Sequence, residues 1–360
     1  MIVAGVMSGT SADGVDVAIV NVGRAYRARL LALRHTAYTP SERAAVLEAC
    51  SGRASTAEMA RLDVALGRRM AAAVTAAAKG QRLDLIACHG QTVFHQGRVA
   101  TLQLGNAAAI AARTGVAVVS DFRSADIAQG GEGAPLVPFA DYHWFRHRGR
   151  YRVCLNLGGI ANLTLIPPSA QLNDVIGFDT GPANMALDGL MARITAGRKR
   201  FDPAGALAAQ GTVNQKLLTR LMSHPFIRRR PPKSAGREQF GEAFLATLPE
   251  LPPADLMATL VAFTAQSVAR ALPKSEGVEV IASGGGVHNR ALMQALRQAA
   301  PKCVWRTSDQ LGVPTQAKEA MAFAILGAAH LRRVPANLPR VTGARRAVIL
   351  GAHTPAPPAL

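Results

Sequence analysis

Lysine, acid, aromatic residues and cysteine are all scarce in this chain, and each shortage excludes something. Only seven of the 41 basic residues are Lys, and Asp and Glu total 23, so the net charge of +18 comes from Arg scattered among Ala. A chain built to hold nucleic acid or a membrane surface would gather its cations into a dense stripe interleaved with aromatics. Aromatics are 5% here, and only RRRPPK (Arg228 to Lys233) and RHRGRYR (Arg146 to Arg152) come near such a stripe. The charge runs therefore read as solvated faces, with no nucleic-acid partner expected, although a basic surface would attract an anionic substrate. The four cysteines (Cys50, Cys88, Cys154, Cys303) are far apart, without CxxC or paired Cys/His spacing. That excludes a disulfide framework and a zinc site and suits thiols in a reducing cytosol. His143 and His147 have helical i,i+4 spacing but lack the Glu of HExxH, so no metal is expected there. There is no basic-then-apolar leader, and no apolar run reaches membrane-spanning length. A cytoplasmic protein without a membrane partner is the expectation.

What the chain does have is length and apolar content. At 360 residues and 49% hydrophobic, it exceeds one compact core, so two domains and a cleft are expected. Residues 2–6 and 15–22 are β-branched runs that read as a hairpin around GVMSGTSADGVD (5–16). Ser55-x-x-Glu58 is a capping box that starts a helix reaching Gly80. A strand at 83–90, a helix at 105–114 and a strand at 116–122 follow, an alternation that predicts an α/β sheet with parallel strands. The Gly/Pro-rich stretch 129–138 then reads as the boundary between domain 1–128, completed by about 338–360, and domain 129–337. After it the plan restarts: strand, Gly turn and strand over 151–167 echo the opening hairpin, and a third strand covers 174–181. Helices are expected at 181–196, 212–223, 255–271, 288–299 and 316–330, and strands at 278–286 and 347–351.

Four Gly-containing turns stand at strand ends: 9–14, 157–161, 177–181 and 283–286. Glycine lets backbone N–H groups approach an anion, and a helix N-terminus adds its positive dipole end. Together with Ser8, Thr10, Ser11, Asp13 and Asp16 they predict a phosphate-binding cleft. Asp179, at the end of an apolar strand before Thr180, Gly181 and Pro182, reads equally as a helix N-cap and as a proton acceptor. Glu319 reads as a residue of an exposed helix start. His89, Arg123 and Asp126 follow apolar strands, where α/β folds place substrate contacts; a structural histidine and a local ion pair are the alternatives.

Longer stretches then carry a resemblance. MSGTSADGVD (7–16), CHGQTVFH (88–95), DFRSADIAQGGEGAPLVP (121–138), NLGGIAN (156–162), GFDTGPANMALD (177–188), KSAGREQF (233–240), SGGGVHN (283–289), EAMAFAILG (319–327) and NLPRVTGARR (337–346) recur in this order in 1,6-anhydro-N-acetylmuramic acid kinases. The sequence resembles that family over nearly its whole length. The resemblance implies a two-domain actin-like ATPase fold of the ribonuclease H-like class, with ATP and Mg²⁺ in an interdomain cleft. It implies hydrolytic opening of the 1,6-anhydro ring and phosphorylation of O6 in cell-wall recycling, by a homodimer. It assigns Asp179 as the base and Glu319 to the anhydro bridge. Gly9, Thr10, Ser11, Ala12, Asp13, Gly14, Val15 and Asp16 would form the ATP phosphate loop, with Asp13 and Asp16 placing Mg²⁺, through water where needed. Gly158, Gly159, Gly181, Gly284, Gly285 and Gly286 would also face the nucleotide. His89, Arg123, Asp126 and Asn156 would meet the sugar. Ala12 and Ala235 depart from the commoner pattern, which has a larger residue and Thr there. An ordinary hydroxyl kinase acting on another sugar and a non-catalytic actin-like assembly protein are the competing readings.

Overall fold

The structure, a computed structural model, describes residues 1–9 and 12–358. Its strands are β1 (Ile2–Ser8), β2 (Gly14–Val22), β3 (Ala28–Ala37), β4 (Leu85–Gln96), β5 (Ala100–Leu104), β6 (Val118–Ser120), β7 (Arg152–Leu157), β8 (Ile160–Ile166), β9 (Ile176–Pro182), β10 (Glu279–Ser283), β11 (Val304–Thr307) and β12 (Ala352–Thr354). The chain divides into two compact units, Met1–Trp144 with Ala317–Leu360, and Phe145–Gln316.

The first unit is built on a sheet of order β12-β6-β4-β1-β2-β3, with β5 paired to β4. The β1–β2 and β2–β3 pairs are antiparallel, and β4 runs parallel to both β1 and β6. The second unit has order β11-β10-β7-β8-β9, with β7–β8 and β8–β9 antiparallel and β10 parallel to β7 and β11. The run β6-β4-β1-β2-β3 matches β11-β10-β7-β8-β9 in order and pairing sense, with β5 and β12 as additions to the first sheet, so the echo of the opening hairpin at 151–167 is one edge of a repeated topology. The α/β class and the division into two units expected from the sequence are what the chain adopts.

Each unit has its own core. In the first, the strand residues Val6, Val17 and Ile86 pack with Leu66, Met70 and Val74 of the helix Thr56–Ala78. The Ser55 and Glu58 side chains form the capping box that starts this helix, which ends at Lys79 in a left-handed conformation, one residue before Gly80. In the second, β7, β8 and β10 pack against Phe240, Phe244 and the helix Pro253–Ala271.

The helix Lys318–Leu331 is buried on nearly all sides, as expected of a helix apolar all round. It lies against β1, β2 and β4. Small residues allow that approach: a Cβ on Gly5 would overlap the Ala320 carbonyl, and one on Gly327 would come within 2.6 Å of Ala87. Residues 317–337 therefore join the first unit rather than the second. Residues 129–144 do the same, because the Gly/Pro stretch folds back onto its own unit through Gly133 N–H to Asp126 and Glu132 N–H to the Thr342 carbonyl. The strand expected at 347–351 is irregular backbone, held by Val348 N–H to Asn337 Oδ1 at 2.6 Å. The returning strand is β12, the three residues Ala352, His353 and Thr354, antiparallel to β6.

Candidate active site

In the first unit, β4 carries His89 at a break in regularity. Val6 pairs with Cys88 and Ser8 with Gln91, so β4 holds one extra residue at His89–Gly90. Gly90 has φ +76° and a Cβ there would meet the Leu104 carbonyl at 2.6 Å, so only glycine fits. The bulge turns the buried His89 ring against Phe323, 4.5 Å between centroids. His89 Nδ1 donates to the Gly90 carbonyl at 2.9 Å, and Nε2 accepts from Arg123 Nε at 3.1 Å and Nη2 at 2.8 Å. Burial and then the Arg123 charge hold its pKa well below the ordinary value, so the imidazole is neutral and Nε2 is an acceptor. Arg123 Nη1 donates to the Gly133 carbonyl at 2.7 Å. Burial lowers the Arg123 pKa to about 10, which still leaves it a cation at neutral pH.

Glu319 stands in the first turn of the helix Lys318–Leu331, one turn before Phe323. Its side chain reaches solvent on one side and is crowded by protein on the others. Burial raises its pKa, Lys318 and Arg123 oppose the rise, and Asp16 adds to it. Asp16, 39% exposed, shares Oδ1 with His35 Nδ1 at 2.8 Å. Beside this group is a recess of about 270 Å³ lined by His89, Thr101, Gln103, Asn106, Asp121 and Ser124 among others.

In the second unit, Asp179 sits in β9 next to a second irregularity. Ala161 pairs with Gly181 and Asn162 with Asp179, leaving Thr180 as the extra residue. Asp179 caps no helix: the helix Asn184–Ile194 has Ala183 at its N-cap and no side-chain cap. Its Oδ2 accepts from Ala235 N–H at 2.8 Å and Ser234 Oγ at 3.0 Å. Oδ1 accepts no hydrogen bond among the described residues. Burial raises the carboxyl to about 6, against the two hydrogen bonds and Lys233, which lower it. One oxygen is thus fixed and the other open, with a proton affinity close to neutrality, which is what a general base requires.

The glycine turns separate into two kinds. Gly14 and Gly181 have packing reasons, since a Cβ would meet the Thr36 carbonyl at 2.5 Å and Ile227 Cδ1 at 3.0 Å, respectively. Gly284 has φ +84° and lies against Asn156 and Leu157; Gly286 lies against Leu157. At Gly159 and Gly285, both exposed, a Cβ would meet nothing nearer than 3.4 Å and 3.8 Å, so the protein's own packing does not demand glycine there. The Gly158 and Gly159 carbonyls accept from the N–H groups of Ala183, Asn184 and Met185, so that helix start serves the turn.

Asn156, the penultimate residue of β7, stands opposite Ser283 of β10 and beside Gly284, among the glycine turns of the second unit. Asp126 is fully buried, with its oxygens taken by Gly133 N–H, Asn337 Nδ2 and Thr342 Oγ1. In the opening turn, Ala12 and Val15 are buried, Asp13 is exposed, and Ala12 N–H donates to the Gly9 carbonyl at 3.1 Å. Thr10 and Ser11 lie outside the described residues. Sequence reasoning missed the holding partners Ser234, Ala235, Phe323, Asn337 and Thr342. Their signal was present in the segments KSAGREQF, EAMAFAILG and NLPRVTGARR, which carried the resemblance without a stated role for these residues.

The comparisons with known proteins agree along the whole chain. The family model described as anhydro-N-acetylmuramic acid kinase matches residues 1–356. An anhydro-N-acetylmuramic acid kinase of Synechococcus elongatus is 43% identical over 98% of this chain and 98% of its own length. One of Bacillus cereus is 41% identical over 98% and 96%, and one of Caldanaerobacter subterraneus 37% over 97% and 96%. Among solved structures, a ROK family glucokinase from Streptomyces griseus aligns at 13% identity over 91% of this chain and 99% of its own, with a TM-score of 0.43. With a family model spanning all but the last residues and relatives near 40% identity over full length, the chain belongs to the anhydro-N-acetylmuramic acid kinase family.

Proposed function

We propose that this protein opens 1,6-anhydro-N-acetylmuramic acid with water and phosphorylates its O6 from ATP, giving N-acetylmuramic acid 6-phosphate and ADP in cell-wall recycling. The observation that carries the reading is Asp179, a carboxyl raised to about 6 with Oδ2 anchored and Oδ1 open. In this reading Oδ1 takes a proton from water as the water oxygen bonds to the anomeric carbon. The bond from that carbon to O6 breaks, and its electron pair stays on O6. O6 then attacks the γ-phosphorus, and the bond to the ADP oxygen breaks.

Arg123, a cation held in place by His89 and Gly133, would contact sugar oxygens, and Glu319 would face the anhydro bridge. Asp126 has no oxygen to spare for a ligand and stands behind Arg123. The recess beside His89, whose lining includes the hydroxyls of Thr101, Ser120 and Ser124 and the amides of Gln103 and Asn106, offers partners for the hydroxyl and acetamido groups of an amino sugar. Gly159 and Gly285 give a nucleotide close approach to backbone. Asn156 and the Gly284 turn frame that approach, and the opening turn from Gly9 to Asp16 takes the phosphates.

The donor set near Asp16 fits Mg²⁺, which binds one or two carboxylates and completes its shell with water and phosphate oxygens. The Asp13 and Asp16 carboxylates reach solvent, and Asp16 raises the Glu319 pKa by repulsion that a cation would relieve. Bound there, Mg²⁺ would neutralise phosphate charge during transfer. The family resemblance further implies a cytoplasmic homodimer, and light scattering of the purified protein tests the second of these.

The reaction is checked by turnover in ¹⁸O-labelled water. Label at the anomeric hydroxyl of a 6-phosphate product is expected. Phosphorylation of an open sugar without label would instead favour an ordinary hydroxyl kinase.

A further inference from the structure

Six hydrogen bonds run from the C-terminal segment 337–346 to the His89 ring. Asn337 Nδ2 and Thr342 Oγ1 each donate to Asp126 Oδ1 at 2.7 Å. Asp126 Oδ2 accepts from Gly133 N–H at 2.8 Å. The carbonyl of that same Gly133 accepts from Arg123 Nη1 at 2.7 Å, and the other edge of the guanidinium donates to His89 Nε2. Asp126, Asn337 and Thr342 are all buried, so the three links to the Asp126 carboxylate operate away from water, where an unpaired group costs most.

The intervening loop is tailored to the carboxylate. A Cβ on Gly131 would overlap the Asp126 side chain, and Gly133 has φ +70° with Ile127 carbons 2.9 Å from a Cβ position. Backbone bonds from Glu132 N–H to the Thr342 carbonyl, 2.7 Å, and from Arg345 N–H to the Gln129 carbonyl, 2.9 Å, tie loop and segment together a second time. Arg123 thus has its guanidinium fixed on one edge by a strand bulge and on the other by a carbonyl whose position the distant segment sets.

We propose that Asn337 and Thr342, acting through Asp126 and Gly133, are positioning residues that aim Arg123 at the sugar, so that the segment 337–346 sets sugar affinity without touching sugar. The proposal rests on Arg123 being a sugar contact. A purely structural role would predict lower stability with unchanged substrate constants.

The test is Thr342→Val, which keeps the shape and removes the donor, set beside Thr342→Ser, which restores it. In Thr342→Val the KM for 1,6-anhydro-N-acetylmuramic acid is expected to rise roughly tenfold, the loss of about one hydrogen bond to a charged group. The KM for ATP should move less than twofold, and Thr342→Ser should return the sugar KM to near wild type. Should Thr342→Val fail to fold, Asn337→Ser removes the other donor to the same oxygen.

A second readout needs no turnover. The Arg123 Nε–H signal in ¹⁵N NMR, assigned by its loss in Arg123→Lys, should be slow to exchange in wild type and fast in Thr342→Val. A folded Thr342→Val with wild-type sugar KM and a protected Nε–H overturns the proposal, as does an equal rise in both KM values. If wild-type protein does not turn over the sugar, the functional reading fails on its own. The NMR arm still decides the relay: a protected Nε–H in Thr342→Val refutes it, and an exposed one upholds it as a device for placing Arg123.

Discussion

Two candidate-site carboxylates, Asp179 and Glu319, one in each unit, are pushed up by burial and held in opposite ways. Asp179 is held by hydrogen bonds from Ser234 and Ala235 to a single oxygen, and its strand neighbours set its direction through the bulge at Thr180. Glu319 accepts no hydrogen bond from any described residue and is balanced by charge, with Lys318 and Arg123 against Asp16. A group held by hydrogen bonds is fixed in direction, as proton transfer needs. A group balanced by charge answers to whatever ion or polar bond comes next to it. In the proposed reaction this difference would separate Asp179 as base from Glu319 as the group facing the anhydro bridge.

The largest expected effect that would break this comparison is on Asp179. Asp179→Asn keeps the acceptor for Ser234 and Ala235 and removes the base, so kcat should fall by roughly 10²–10⁴-fold, read in steady-state kinetics. Glu319→Gln should cost less in kcat, roughly tenfold to a hundredfold, with the rise in sugar KM exceeding that in ATP KM. If Glu319→Gln proves the more damaging in kcat, the two roles are exchanged.

The pH dependence sharpens the same contrast. With Asp179 titrating at about 6, kcat/KM should fall about tenfold per pH unit below that value, because the base is then protonated. Stability moves the other way. A carboxyl raised from 3.8 to about 6 on folding disfavours the folded state as pH rises through that window, and the penalty is complete above it. Asp179→Asn should therefore stabilise the protein on the order of 2 kcal/mol near pH 8 and not near pH 3, read by thermal or urea unfolding. An inactive variant that is more stable only at neutral and higher pH would be hard to explain by misfolding.

The smallest effect concerns neighbouring glycines. Gly284→Ala forces a side chain into φ +84° and against the Leu157 carbonyl at 2.8 Å, and should cost about 1–3 kcal/mol of stability. Gly285→Ala has open space and should leave unfolding unchanged within about 0.5 kcal/mol while raising the ATP KM. Equal behaviour of the two would remove the nucleotide from this turn.

The repeated topology was legible in the sequence because β-branched runs around Gly turns recur at 2–22 and 151–167. The candidate site positions were named because polar residues stand at the ends of apolar strands. What was not legible depended on contacts far apart in the chain. The bulges at His89–Gly90 and Thr180 are properties of pairing register, although Gly90 and Gly181 mark where they fall. The Gly/Pro stretch at 129–138 looked like a linker because its composition is that of one, yet its glycines are there to close around Asp126. Val348 and its apolar neighbours looked like a strand, whereas the less apolar Ala352–Thr354 pairs with β6. Asp179 and Asp126 looked alike as acids after apolar strands, and only their partners distinguish an open oxygen from a saturated carboxylate.

The most direct test of the central claim is ADP release measured with and without 1,6-anhydro-N-acetylmuramic acid, in the presence of Mg²⁺, for wild type and Asp179→Asn. Sugar-dependent ADP release by wild type, reduced at least a hundredfold in a folded Asp179→Asn, is the predicted result. ADP release that ignores the sugar, or an Asp179→Asn protein running at the wild-type rate, would contradict it.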